Sequence, residues 1–160
     1  MRWLARGEDL LPAGTQWLAH AEAARAARLH YTKRRTEYLL RRLVAKHGVA
    51  TVTGRSTDPA ALASIEVRNA PSGAPYVLVE GAPLDLDLSI TDRAGWAVCV
   101  LGGTGGVGGA VGCDLELVEP RSPGFVRDFL TEAEQRFVTA RPAGEERDAA
   151  ANLMWSAKES

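Results

Sequence analysis

Asp114 and Glu116, in Gly112-Cys113-Asp114-Leu115-Glu116, and Glu159, in the closing Trp155-Ser156-Ala157-Lys158-Glu159-Ser160, are the side chains whose type and spacing best suit metal chemistry. Read as a strand, residues 111–117 put Asp114 and Glu116 on one face and Cys113 and Leu115 on the other, because strand side chains alternate. Read as the end of a helix, Trp155, Lys158 and Glu159 stand at i, i+3 and i+4 and share a face. Three convergent carboxylates suit magnesium, a hard cation that takes oxygen ligands, keeps some of its waters and engages substrate phosphates. The spacing therefore points to a phosphorylated substrate. By itself, the Asp114 and Glu116 pair also fits two surface charges on an edge strand.

A second cluster is basic. Residues 33–47 are expected to form a helix with Leu39, Leu40, Leu43 and Val44 as its apolar stripe and a stop at Gly48. Arg35, Arg42 and Lys46 lie on another face, either as solvated charges or as a phosphate-binding surface. An Ala- and Glu-rich helix over 15–29, with Thr15 as N-cap, precedes it. A loop over 52–63 with a short helical turn follows.

Strands are expected at 64–68, 76–79, 84–90 and 95–101, with a turn at Pro71-Ser72-Gly73-Ala74-Pro75. Thr131 and Glu134 form a capping-box pattern that starts a helix over 131–139. A last helix from about 145 is still under way at Ser160, without a C-cap, so the chain is expected to be cut from something longer. Helices followed by strands argue for an α+β fold. Gly103-Thr104-Gly105-Gly106-Val107-Gly108 satisfies G-x-G-x-x-G but runs into more glycine and a strand rather than a helix. It reads as a flexible hairpin or linker between halves.

The chain has 160 residues, 46% of them hydrophobic, and a formal net charge of -1, which gives no bias toward nucleic acid. Residues 1–111 carry 13 Lys and Arg against 10 Asp and Glu, and residues 112–160 carry 6 against 10. A basic first part and an acidic second part suit an anionic ligand together with a metal. Cys99 and Cys113 lack C-x-x-C spacing and fit a reducing compartment. The N-terminal residues meet charge too early for a signal peptide, and no apolar run is long enough to span a bilayer, so a cytoplasmic protein without membrane contact is expected. His20, His30 and His47 have no ligand spacing and read as surface residues.

These motifs together resemble the 4'-phosphopantetheinyl transferase superfamily, specifically its surfactin-type group. Gly112 to Glu116 fits the family's G-x-D-x-E, and Trp155 to Ser160 fits W-x-x-K-E-[AS]. Phe129-Leu130-Thr131-Glu132-Ala133-Glu134 resembles the F-[FL]-[TS]-x-x-E segment between them. Lys33-Arg34-Arg35 and the following Leu39 to Lys46 look like the family's basic helix. Gly73-Ala74-Pro75 stands where a G-[KR]-P turn is expected, and Ser89-Ile90-Thr91-Asp92 stands where S-[LI]-S-H is expected. Ala74 and Asp92 thus replace a basic residue and a histidine.

The resemblance implies a pseudodimer of two similar α+β halves, 1–106 and 107–160, the second truncated. A further lysine and the remaining strands of that half would follow Ser160. It implies transfer of the phosphopantetheine arm of coenzyme A to a serine of an acyl, polyketide or peptidyl carrier protein. Asp114, Glu116 and Glu159 would hold Mg2+, Glu159 would also help remove the serine proton, and Lys158 would contact phosphate oxygens. Arg35, Arg42, Lys46, Gly73, Pro75, Thr91 and Asp92 would bind coenzyme A. A monomer is expected. The alternative is an inactive fragment that only binds coenzyme A or a carrier protein.

Overall fold

A computed structural model describes residues 1–103 and 111–160, so most of the Gly103 to Gly108 motif lies outside the described residues. The chain divides into two compact units, Met1–Gly112 and Cys113–Ser160.

The first unit is organised by a long helix. It contains β1 (Arg2–Gly7), a 3-10 turn (Glu8–Leu10), α1 (His20–Ala27), α2 (Thr32–Thr53), α3 (Pro59–Ala63), β2 (Ile65–Asn69), β3 (Pro75–Val79), β4 (Ala82–Leu84), β5 (Leu88–Arg93) and β6 (Trp96–Leu101). Two antiparallel sheets form, in the orders β1-β6-β5 and β2-β3-β4. α2 packs on β1, β5 and β6 of one sheet and on β2 of the other. Its expected stripe of Leu39, Leu40, Leu43 and Val44 is buried, joined by Tyr38, Ala45, Val49 and Ala50.

The helix does not stop at Gly48. That glycine is internal and lets α2 approach β6 closely, since a Cβ there would lie 2.8 Å from Leu101 Cδ1. The helix ends at Gly54, which takes the left-handed conformation at φ 67° and donates its N–H to the Ala50 carbonyl. α1 likewise starts later than expected, at His20. Thr15 accepts a turn hydrogen bond from Leu18 N instead of capping a helix, and Trp17 and Leu18 are buried ahead of the first helical turn.

Four expected strands appear as five, because residues 84–90 are divided. β4 belongs to one sheet and β5 to the other, with the chain crossing between them at Asp85-Leu86-Asp87. β1 was not expected at all: Arg2 and Arg6 dilute its apolar character, and it is selected by pairing with β6, in which Leu4 faces Cys99. The hairpins β3–β4 and β5–β6 turn through Glu80-Gly81 and Ala94-Gly95, with φ of 53° and 81°, and 51° and 79°. Positive φ at both central residues is the type I′ geometry that matches strand twist.

The second unit is helical: α4 (Pro123–Phe129), α5 (Glu132–Thr139) and α6 (Glu145–Glu159). α4 is capped by Ser122, whose hydroxyl accepts from Phe125 N at 3.1 Å, with Pro123 at the first position. The expected Thr131 and Glu134 capping box starts α5. Leu130, Val138, Ala150 and Ala151 form a small core with Val126 and Met154 against it. The strand expected over 111–117 is absent from both sheets. A strand is defined by its ladder, and no described strand pairs with that segment. The fold class is α+β, as the order of helices followed by strands implied. No helix among the described residues is long and apolar enough to cross a membrane.

Candidate functional site

In the first unit, α1 places Glu22 beside the basic face of α2. Glu22 is 3% exposed. Its Oε2 accepts from Ala19 N at 2.9 Å and pairs with Lys46 Nζ at 2.6 Å, and its Oε1 accepts from Val67 N at 2.9 Å. Arg42 Nε lies 3.6 Å from Glu22 Oε1 and has no hydrogen-bond partner, although the side chain is only 8% exposed. The Arg42 guanidinium stacks on the Tyr38 ring at 4.8 Å, and Arg25 approaches the same ring at 5.6 Å. Burial raises the Tyr38 phenol above its ordinary range, with Arg42 opposing the shift. A cavity of about 270 Å3 opens here, lined by Arg25, Tyr38, Arg42, Arg68 and Asn69 among others.

Lys46 is in a different position from the one expected. It is 0% exposed, and its ammonium donates to the carbonyls of Trp17, Leu62 and Ile65 at 3.2, 2.9 and 2.6 Å besides Glu22. Burial lowers its pKa, and the Glu22 charge offsets part of that. Lys46 therefore ties α1, α2, α3 and β2 together rather than facing a ligand. Arg35, in the first turn of α2, is exposed. Gly73, at φ 92°, and Pro75 shape the β2–β3 hairpin, where Asn69 Nδ2 donates to the Gly73 carbonyl at 2.8 Å. Thr91 and Asp92 lie on β5, in the other sheet, and Asp92 pairs with Arg41 of α2. His47, expected at the surface, is half-buried, and its Nδ1 accepts from Arg6 Nε at 3.4 Å.

Thus Arg42 and the hairpin residues next to Gly73 share one region, whereas Lys46 is internal and Thr91 and Asp92 stand apart. Sequence reading missed Glu22, Arg25, Arg41 and Arg68. A signal for Glu22 was present: it shares a helical face with Ala26, and both are buried, so a carboxylate interrupts an apolar stripe.

The second unit holds the other motifs. Trp155 on α6 packs edge-on against Phe125 and Phe129 of α4, each centroid 5.2 Å away. Lys158 Nζ pairs with Glu134 Oε2 at 3.0 Å. The Thr131 N–H and then Lys158 hold the Glu134 carboxyl below the usual carboxylate range. Arg121 Nη2 lies 3.4 Å from Glu116 Oε2, Arg121 Nε donates to Asn152 Oδ1 at 2.7 Å, and the guanidinium stacks on Phe125 at 4.8 Å. Asp114 and Glu116 are half-buried, and Glu159 is exposed at the end of α6.

Among the described residues, no group of three or more His, Cys, Asp or Glu side chains is gathered closely enough to hold a metal. The expected three-carboxylate cluster is therefore not assembled. The donor chemistry does suit magnesium, which commonly uses one or two carboxylates and completes its shell with water and substrate phosphates. Asp114 and Glu116, two apart and half-buried, match that requirement in kind and number.

The 4'-phosphopantetheinyl transferase superfamily model matches residues 110–160. No curated protein matches the chain. Among solved structures, the chain is similar to a holo-(acyl-carrier-protein) synthase from Bacillus anthracis, a complex with coenzyme A (3',5'-ADP). The likeness has a TM-score of 0.50 and 21% identity, covering 62% of this chain and 90% of that one. The chain thus shares its α+β fold with a solved synthase, and its residues 110–160 are similar to the 4'-phosphopantetheinyl transferase superfamily model.

Proposed function

We propose that this protein transfers 4'-phosphopantetheine from coenzyme A to a serine of an acyl, polyketide or peptidyl carrier protein. The observation that carries the proposal is the family match over residues 110–160, which contain Asp114, Glu116, Lys158 and Glu159 in order. The Arg42 cavity supports it from the first unit. A buried guanidinium N–H without a hydrogen-bond partner is costly unless a ligand satisfies it, and Arg25, Arg42 and Arg68 line the same space with Glu22 and Glu66, which leaves a cationic excess there. In this reading Arg42 binds a coenzyme A phosphate and Arg35 adds long-range attraction. The ion pair to Arg41 neutralises Asp92, so the carboxylate beside Thr91 does not repel an anion.

In the reaction the serine hydroxyl oxygen attacks the phosphorus that carries the pantetheine arm. A new P–O bond forms, the anhydride P–O bond breaks, and adenosine 3',5'-bisphosphate leaves with the bonding pair. Glu159 would accept the serine proton, directly or through a water. Lys158 directs one of its three N–H donors to Glu134, and the others suit phosphate oxygens. Asp114 and Glu116 would hold Mg2+, with Glu159 as a further candidate ligand, and the ion when bound would offset charge on the pyrophosphate.

A binding-only reading competes, favoured by the carboxylates not being gathered into a group of three. One experiment separates the two: incubate the protein with coenzyme A, magnesium and an apo carrier protein, then weigh the carrier. A mass gain of one phosphopantetheine is expected. Coenzyme A binding without any gain, where a known transferase modifies the same carrier, establishes the binding-only reading.

A further inference from the structure

Among the described residues, the segment bearing Asp114 and Glu116 belongs to neither sheet. A chain of polar contacts ties it to α6. Asn152 is 3% exposed, and its Nδ2 donates to the Glu119 carbonyl and to the Asp148 carbonyl, both at 2.7 Å. Its Oδ1 accepts from Arg121 Nε at 2.7 Å. The same guanidinium reaches Glu116 and Glu119, each at 3.4 Å, and is backed by the Phe125 ring. The Arg121 and Glu116 side chains are only 17% and 15% exposed, so this contact is screened less than a surface pair.

We propose that Arg121 and Asn152 are positioning residues that fix the Glu116 carboxylate relative to α6, the helix that carries Lys158 and Glu159. This rests on the transferase reading for the role of Glu116 as a metal ligand. A planar guanidinium addresses Asn152, Glu119 and Glu116 from a rigid fork, a geometry that an ammonium on a flexible stem does not fix in the same way. Partners of this kind, behind a metal ligand, typically govern metal affinity by 10–100-fold. A cation near a carboxylate could instead merely compete with the metal, and the two roles predict opposite signs.

The test uses the full chain and four proteins: wild type, Arg121→Ala, Arg121→Lys and Asn152→Ala. Amide hydrogen exchange over 113–119 is read first, with the α5 amides as internal control. Faster exchange over 113–119 in all three variants, with α5 unchanged, is expected. Unchanged exchange over 113–119 overturns the positioning role, as does equal loosening of α5, which would mean general unfolding.

Mn2+ binding, as a paramagnetic probe for magnesium, is read second. An affinity about tenfold weaker in all three variants is expected. Tighter binding in Arg121→Ala, or full rescue by Arg121→Lys, overturns the proposal in favour of a simple charge effect. If wild type binds no Mn2+ while the exchange pattern holds, the metal assignment fails and the fixing of Glu116 stands.

Discussion

Lys158 Nζ lies 3.0 Å from Glu134 Oε2, while the same Glu134 oxygen accepts from Thr131 N at 2.7 Å. One carboxylate thus closes the capping box of α5 and takes up the lysine of the Trp155 to Ser160 motif. Two stretches that read as separate signatures are one contact. The glutamate between the motifs orients the lysine as well as starting a helix.

An acid-side dependence follows. The Glu134 carboxyl is held below the usual carboxylate range first by the Thr131 N–H and then by Lys158. A depressed carboxylate contributes stability above its unfolded pKa, and the contribution is lost as pH falls through the lower folded value. Glu134→Gln is expected to lower the thermal midpoint at neutral pH and to leave a smaller change between neutral and acid conditions than in wild type. Thermal unfolding at stepped pH checks this; parallel curves would remove the assignment.

Glu22 is the shared carboxylate partner of two buried cations in the first unit. Glu22→Ala leaves the fully buried Lys46 ammonium and the buried Arg42 without their carboxylate. Breaking a buried pair from one side costs about 3–5 kcal/mol, because the remaining charge is uncompensated. Adding Lys46→Met to Glu22→Ala is expected to recover part of the loss. Urea unfolding measures both, and a double variant no more stable than the single one refutes the pairing argument.

Ala94 sits at φ 51° in the β5–β6 turn, a region where an alanine Cβ crowds the backbone. Asn-Gly is the preferred pair for this turn. Ala94→Asn is expected to stabilise the protein by a fraction of the roughly 1–2 kcal/mol left-handed penalty, because asparagine tolerates that conformation better while keeping a Cβ. A lower denaturation midpoint in urea would contradict it.

His47 supplies a second pH effect. Burial first, and then the Arg6 charge, push its imidazole below the ordinary range. The neutral ring accepts from Arg6, so its contribution is present above the unfolded pKa and lost as pH falls through the folded value. His47→Gln should flatten the stability profile just below the usual histidine range; an unchanged slope there would show that His47 is not responsible.

Much of this was legible in the chain itself. The apolar stripe of α2, the Thr131 and Glu134 box and the motif spacing of Asp114, Glu116, Lys158 and Glu159 depend on local periodicity and residue type, which sequence carries directly. The family match over 110–160 agrees with that reading. What stayed hidden depends on partners distant in the chain. β1 exists because β6 offers it a ladder, and 111–117 is not a strand because no described strand does. Gly48 reads as a helix stop until Leu101 is seen to need its missing Cβ. Lys46 reads as a surface cation until Glu22 and three backbone carbonyls are found around it. In each case the residue type set what the side chain could do, and burial against a remote segment decided which of those things it does, because the cost of burying a polar group depends on which partners surround it.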